Sequence, residues 1–159
     1  MPQRLNYSQI SPELFRKYLD FSMAIGKSSL DYTIRYLIEI RASQMNGCAF
    51  CLDMHVKQAK IAGERELRIY HIPIWRESSL FSEKERAALE WTEAITRLGE
   101  HGVPEDLYKQ VRAQMSDQEL IDLTFAIMCI NGWNRMSIAM QAVPGSQDSL
   151  YGLTKAGLS

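Results

Sequence analysis

Residues 46–55 read Asn46-Gly47-Cys48-Ala49-Phe50-Cys51-Leu52-Asp53-Met54-His55, which places two thiols and an imidazole within eight consecutive residues. An α-helix advances about 100° per residue, so a helix that begins near Cys48 puts Cys51 about 60° and His55 about 20° from it around the axis. The Asn46-Gly47 pair predicts the end of one helix and the start of the next. Both thiols would then lie in a first turn, where free backbone N–H groups favour the thiolate. The stretch predicts a redox site on one helix face.

Composition and charge narrow the class of protein. The chain has 159 residues, 18 basic and 19 acidic, with a net charge of −1 and no block of one sign. This balance predicts neither a nucleic-acid nor a membrane partner. The longest apolar run, Phe125 to Ile130, is far shorter than the ~20 residues of a spanning helix. Three cysteines are an odd count, which favours a catalytic or metal-binding pair in the reducing cytoplasm over a disulfide scaffold.

Helix signals recur along the chain and no convincing strand pattern interrupts them. Ser11-Pro12-Glu13 is typical of a helix start, and both Ser82 to Glu85 and Ser116 to Glu119 have the pattern of a capping box. The predicted helices begin at about residues 12, 30, 48, 64, 83, 105 and 117. The sequence therefore predicts a single all-α domain over residues 1–159, with its core at about 10–142, its most apolar helix (Leu120 to Ile130) in the centre, and a loop-like tail at 144–159.

One internal similarity stands out. Residues 45–51 and 130–136 align at an offset of 85 residues, and each contains Asn-Gly between helical patterns. This predicts two related helical hairpins packed together, of which only the first carries the thiols.

Three other interpretations of the cysteines compete with a redox site. Cys48, Cys51 and His55 could supply three zinc ligands, but a fourth at suitable spacing is missing, so no metal is predicted. No organic cofactor is predicted either. A thioredoxin-like motif would need a βαβ context that the sequence lacks. Buried, inert cysteines remain a third interpretation. For Cys129, which lies in an apolar run, the preferred interpretation is a packed small hydrophobe.

Residues 40–55, 81–94 and 130–135 together resemble the alkylhydroperoxidase D (AhpD)-like branch of the carboxymuconolactone decarboxylase superfamily. The similarity extends over most of residues 10–142. It implies an all-helical fold that assembles into homo-oligomers, commonly trimers or hexamers. It also implies a peroxidase-like activity in which Cys51 attacks the peroxide, Cys48 resolves the product, and His55 helps to deprotonate Cys51.

The chain departs from this family pattern at two positions. The proton-relay glutamate expected twelve residues before the first cysteine is Tyr36, and the histidine expected between the cysteines is Phe50. Glu39, one turn nearer to the cysteines, is the candidate replacement for the relay. The competing interpretation is that Glu39 only forms a surface ion pair with Arg35 or Arg41.

The preferred functional hypothesis is a thiol peroxidase that reduces an alkyl hydroperoxide or hydrogen peroxide and is itself reduced by an external dithiol. Its catalytic residues would be Cys51, Cys48, His55 and Glu39. One alternative is a dithiol-disulfide oxidoreductase that uses the same pair without peroxide. Another is a redox-sensing or scaffold protein. A decarboxylase or lactonase is disfavoured because that branch of the superfamily lacks the cysteine pair.

Overall fold

The computed structural model describes residues 2–158, in which the regular structure is helical. The helices are α1 (Tyr7–Ile10), α2 (Pro12–Ile25), α3 (Tyr32–Asn46), α4 (Ala49–Ile61), α5 (Glu66–His71), α6 (Glu83–Thr96), α7 (Glu105–Arg112), α8 (Asp117–Met140) and α9 (Asp148–Tyr151). Two 3-10 turns, Ile72–Ile74 and Leu153–Ala156, follow α5 and α9. Across these residues, extended pairing is limited to one isolated bridge between Gly99 and Gly102. The all-α prediction is confirmed.

Helix ends follow the side-chain signals that the sequence carries. Ser82 and Ser116 each form a complete capping box, in which the serine oxygen accepts from the glutamate N–H and the glutamate carboxylate accepts from the serine N–H. Gly47 ends α3 in the left-handed conformation, with a φ of 70°. The helix start predicted at Leu30 lies two residues later, because Asp31 caps α3 by accepting from the Thr33 N–H at 2.7 Å. The one-turn helix α1 was not predicted.

The central helix is α3, which packs against α4, α6 and α8. Some of its buried side chains join an apolar cluster with residues of α6 and α8, and others join a second cluster with residues of α4 and α5. The helix α8, which the sequence predicts to be central, packs against α2, α3, α4, α6 and α7 and contains nine buried residues, but it leaves Ile121, Phe125 and Met128 exposed. Within residues 2–158, no helix combines the length and the apolar character needed to cross a bilayer.

The predicted second hairpin is also wrong at its turn, because α8 continues without a break through Asn131 and Gly132. Gly132 serves a different purpose there. A Cβ at this position would lie 2.8 Å from Tyr18 Cζ and closer still to the Tyr18 hydroxyl oxygen. That hydroxyl donates to the Cys129 carbonyl oxygen at 2.7 Å. The glycine thus permits a close approach between α2 and α8 and does not end a helix.

The C-terminal tail is more ordered than its composition predicts. The sequence favours a loop over residues 144–159 because of its glycine and serine content, but α9 and the turn Leu153–Ala156 lie within it. Leu153 and Ala156 are buried, and the turn packs against α4. Each of these two apolar residues is directly next to a glycine in the sequence, so the local composition does not reveal that they are buried.

Candidate active site around the Cys48–Cys51 pair

Cys48 and Cys51 lie at the N-terminus of α4. Cys48 is the N-cap of this helix, and its Sγ accepts a hydrogen bond from the Cys51 N–H at 3.3 Å. The two sulfur atoms are joined in a disulfide whose Cα atoms are 5.4 Å apart, a usual separation for such a bond. The predicted helix start is therefore correct to within one residue, and both cysteines lie where backbone N–H groups stabilise negative charge. Both side chains are buried.

A cavity of about 610 Å³ borders one cysteine of the pair. Cys51 lines this cavity together with His55 and Glu39, whereas Cys48 is not among the described residues that line it. Much of the remaining wall is apolar or aromatic and includes Phe15, Leu19, Met23, Phe50, Met54 and Trp133. A volume of this size suits a small organic molecule. A molecule that enters the cavity therefore meets Cys51 and not Cys48.

His55 is held between two acceptors. Its Nδ1 lies 2.8 Å from Gln58 Oε1 and 3.1 Å from Glu39 Oε2. The amide oxygen of Gln58 can only accept a hydrogen bond, so a neutral His55 ring that makes this contact carries its hydrogen on Nδ1. The lone pair is then on Nε2. The arrangement keeps one nitrogen of the ring available as a base.

Glu39 is buried, with 7% of its surface exposed. Arg35 Nε donates to its Oε1 at 3.0 Å. Its Oε2 approaches His55 without the direction of a hydrogen bond and has no other partner among the described residues. Burial by itself would raise the pKa of the Glu39 carboxyl, but the charges of His55 and Arg35 lower it overall.

These contacts decide between the two interpretations of Glu39. The pair with Arg35 exists, but it lies inside the protein and shares the carboxylate with His55. Arg41 is not a partner, because its Nε donates to Glu93 at 2.8 Å. Tyr36 packs against the cluster that α3 forms with α4 and α5, its ring centroid lies 6.3 Å from that of Tyr32, and it is not among the described residues that line the cavity. The structure thus places Glu39, and not Tyr36, beside His55.

Two further polar contacts in the cavity are not among those predicted from the sequence. Gln58 lies three residues after His55 on α4, and this spacing is the signal that predicts their contact. Cys129 is buried as predicted, but it also lines the cavity, with its Sγ 3.0 Å from Ser22 Oγ. Burial raises the pKa of the Cys129 thiol, which disfavours its thiolate. Cys129 is therefore a much weaker nucleophile candidate than Cys51.

The turn before Cys48 is fixed by the second Asn-Gly pair. Asn46 Nδ2 donates to Asn131 Oδ1 at 2.9 Å and to Asn134 Oδ1 at 2.8 Å. Asn134 Nδ2 in turn donates to Ser43 Oγ at 3.1 Å. The two asparagines that align in the sequence thus bind each other across the α3–α8 interface. This buried network holds the backbone that presents the cysteines.

The sequence profile described as the carboxymuconolactone decarboxylase family matches residues 12–94 of the chain, which include both cysteines, His55 and Glu39. The chain belongs to this family. A curated member, the uncharacterized protein YdfG of Bacillus subtilis, is 46% identical over 140 residues, which are 88% of this chain and 95% of YdfG.

Solved structures place the chain in the AhpD-like branch of the carboxymuconolactone decarboxylase family. A protein of unknown function from Agrobacterium tumefaciens, described as a putative antioxidant defence protein AhpD, is 40% identical with a TM-score of 0.87. The match covers 90% of this chain and 98% of that protein. The debrominase Bmp8 shares the fold at 17% identity, with a TM-score of 0.79 and coverage of 93% and 79%. Within residues 2–158, no group of three or more histidine, cysteine, aspartate or glutamate side chains has the arrangement of a metal site.

Proposed function

We propose that this AhpD-like protein is a thiol peroxidase in which Cys51 attacks the peroxide. The observation that carries the proposal is that Cys51, but not Cys48, lies on the wall of a ligand-sized cavity beside His55 and Glu39. The N-terminus of α4 favours the thiolate at this position. Substrates of this chemistry are alkyl hydroperoxides and hydrogen peroxide.

The cycle balances in three steps. In the first, the Cys51 thiolate takes the terminal oxygen of ROOH, the O–O bond breaks, and the leaving RO⁻ takes a proton to become ROH while Cys51 becomes a sulfenic acid. In the second, the Cys48 thiol displaces hydroxide from this sulfenic sulfur, which yields water and the Cys48–Cys51 disulfide. In the third, an external dithiol reduces that disulfide and is itself oxidised to a disulfide.

His55 and Glu39 supply the proton transfer in this proposal. The Nε2 of His55 accepts the Cys51 thiol proton, and the Glu39 carboxylate, whose Oε2 lies 3.1 Å from Nδ1, stabilises the positive charge that the ring acquires. Arg35 orients Glu39 by donating to Oε1. The residue at the usual relay position, Tyr36, takes no part.

The test uses single variants and a trap for sulfenic acid. Cys51→Ser should abolish peroxide consumption, whereas Cys48→Ser should stop after one turnover and leave a sulfenic acid that dimedone labels at Cys51. Cys129→Ser is the matched control and should retain turnover. Labelling at Cys48 in Cys51→Ser would reverse the two roles. Turnover of a small disulfide by a protein that consumes no peroxide would favour the dithiol-disulfide oxidoreductase alternative.

The relay has a test of its own. Glu39→Gln removes the charge but keeps the shape, and it should lower peroxide turnover by about 100-fold, as the loss of a general base does. Tyr36→Glu on this background is the matched variant at the position that the family uses. Because Tyr36 is not among the described residues that line the cavity, this second change should restore little activity. Full turnover in Glu39→Gln would remove Glu39 from the mechanism.

The proposal includes a homo-oligomer, either a trimer or a hexamer. Ile121, Phe125 and Met128 are exposed and follow one another at helical spacing on α8. An apolar stripe of this kind is typical of a helix that packs against another surface. Light scattering should give a multiple of the 18.2 kDa chain mass. A single-chain mass at micromolar concentration would contradict this part of the proposal.

A further inference from the structure

The C-terminal segment, residues 145–156, is tied to α4 by one lysine. Lys57 Nζ donates to Asp148 Oδ2 at 2.6 Å and to Asp53 Oδ2 at 2.9 Å. The same Asp53 oxygen also accepts from the Gly145 N–H at 3.1 Å. Lys57 and Asp53 belong to α4, whereas Gly145 and Asp148 belong to the segment. These three hydrogen bonds form a polar clamp between the helix and the segment.

The clamp is sheltered from solvent. Only 4% of the Lys57 surface is exposed. The hydrogen bonds to Asp148 and Asp53 raise the pKa of the Lys57 ammonium, so it is charged at neutral pH. A buried charge that loses its partner is strongly unfavourable. The Lys57 ammonium therefore holds the Asp148 and Asp53 carboxylates close together, because it compensates their like charges. At the far end of the segment, Leu153 and Ala156 provide apolar anchors.

The same segment forms one side of the Cys51 cavity. Ser146, Gln147 and Tyr151 line the cavity together with Cys51 and His55 of α4, whereas Lys57 is not among the described residues that line it. Tyr151 is the last residue of α9, which begins at the clamped Asp148, and it supplies the largest side chain of the three. The position of this wall therefore depends on a residue outside the cavity.

We infer that Lys57 is a positioning residue, which holds residues 145–156 as a wall of the cavity and thereby limits the size of the molecule that reaches Cys51. For a peroxidase, the consequence is selection of hydroperoxides by size at the wall formed by Gln147 and Tyr151. The identity of the substrate as a peroxide rests on the proposed function. The wall itself can be tested without any peroxide.

The experiment measures alkylation of reduced Cys51 by two reagents with the same reactive group. One is iodoacetamide, and the other is an iodoacetamide that carries fluorescein; peptide mass mapping separates the Cys51 product from those of Cys48 and Cys129. Each rate is divided by the rate in unfolded protein. In the native chain, the small reagent should keep an advantage of about tenfold or more over the large one, because only local opening admits the latter.

Lys57→Met retains the length of the side chain and removes the charge, and it should abolish most of this size advantage. Lys60→Met is the matched control, since Lys60 lies on the same helix and pairs with Glu66 away from the segment; it should keep the native ratio. Asp148→Asn weakens the clamp from the segment side and should shift the ratio in the same direction as Lys57→Met. If Lys57→Met does not fold, the ratio of the two alkylation rates in Asp148→Asn tests the inference instead.

Hydrogen exchange at residues 146–151 completes the test, because it should increase in Lys57→Met and Asp148→Asn and not in Lys60→Met. A native size ratio in the clamp variants overturns the inference, whether or not exchange increases. A changed ratio in a protein that reduces neither hydrogen peroxide nor cumene hydroperoxide would support the wall and reject the proposed function. If peroxide is reduced, the rate with cumene hydroperoxide relative to hydrogen peroxide should rise in the clamp variants.

Discussion

The chain contains two Asn-Gly pairs in similar helical surroundings, and the two pairs have different structures. Asn46-Gly47 separates α3 from α4, whereas Asn131-Gly132 lies inside the continuous helix α8. Gly47 has a φ of 70°, and a Cβ there would have no heavy atom within 4 Å. Gly132 is helical, and a Cβ there would overlap Tyr18. One glycine is required by its backbone conformation and the other by its neighbour.

The chemistry is confined to the first pair. At the offset of 85 residues, Thr124, Trp133, Met136 and Met140 stand in place of Glu39, Cys48, Cys51 and His55, respectively. The second pair has a supporting role, because Asn131 and Asn134 accept hydrogen bonds from Asn46. The same Asn-Gly pair therefore separates two helices at one position and lies inside a single helix at the other, and the residues packed around each pair differ.

The largest effect should come from Gly132→Ala. In an ordinary helix interior, this change would stabilise the protein by about 1 kcal/mol. Here the methyl group would collide with Tyr18, and overpacking of this kind should lower the free energy of unfolding by about 3 kcal/mol. Urea denaturation measures the change. Tyr18→Phe on the same background should recover part of the loss, and a stabilised Gly132→Ala protein would contradict the steric explanation.

Asn46→Ala should have the next largest effect. It removes two hydrogen bonds and leaves the buried Asn134 Oδ1 without its donor, which should lower the free energy of unfolding by about 2 kcal/mol. A double-mutant cycle with Asn134→Ala tests the contact directly. The two single losses should sum to more than the loss in the double variant. Additive losses would mean that the two pairs are not energetically coupled.

Gly47→Ala should have a smaller effect than either of these changes. There is space for the methyl group, so only the left-handed backbone opposes it, at about 1 kcal/mol. Gly47→Asn should lower stability less than Gly47→Ala, because asparagine tolerates this conformation better. Thermal denaturation compares the two variants. Equal losses in both would argue that something other than the φ angle requires the glycine.

The smallest effect is on the pH dependence of the free energy of unfolding. It is expected at the reactive region and not at its counterpart in α8, because Thr124 stands there in place of Glu39. Because the native pKa of Glu39 is lowered from its ordinary value of 4.5, its contribution to stability is present above pH 4.5 and is lost as the pH falls below that value. Glu39→Gln lacks this titration. Its unfolding free energy should therefore fall less steeply with acid than that of the native protein, as measured by denaturation at several pH values. Parallel pH profiles would contradict the lowered pKa.

Local signals predicted most of the fold. The two capping boxes, the proline after Ser11 and the Asn46-Gly47 break each act within a few residues, so the sequence alone places those helix ends. The role of Gly132 inside α8 could not be predicted in this way. It depends on Tyr18, more than 100 residues away, whose hydroxyl occupies the space that a Cβ at Gly132 would fill.

The candidate site was predicted in part for the same reason. The spacing of Cys48, Cys51 and His55 within one helix indicates a shared face, and Cys51 and His55 do line one cavity. The choice between Tyr36 and Glu39 needed the packing of α3 against its neighbours on both sides. The clamp at Lys57 joins residues 91 positions apart, and no local pattern announces it.

The N-cap of α4 also makes the site observable. The Cys51 amide donates to a sulfur atom that is thiol or disulfide according to the state of the pair. Its nitrogen and proton resonances in a ¹⁵N-labelled sample should therefore move when the protein is oxidised or reduced. The amide resonances of α7, which lies outside the described lining of the cavity, provide an internal reference in the same spectrum. Magnetic resonance can in this way follow the redox state of Cys48 through a backbone group of its neighbour, without a label on either sulfur.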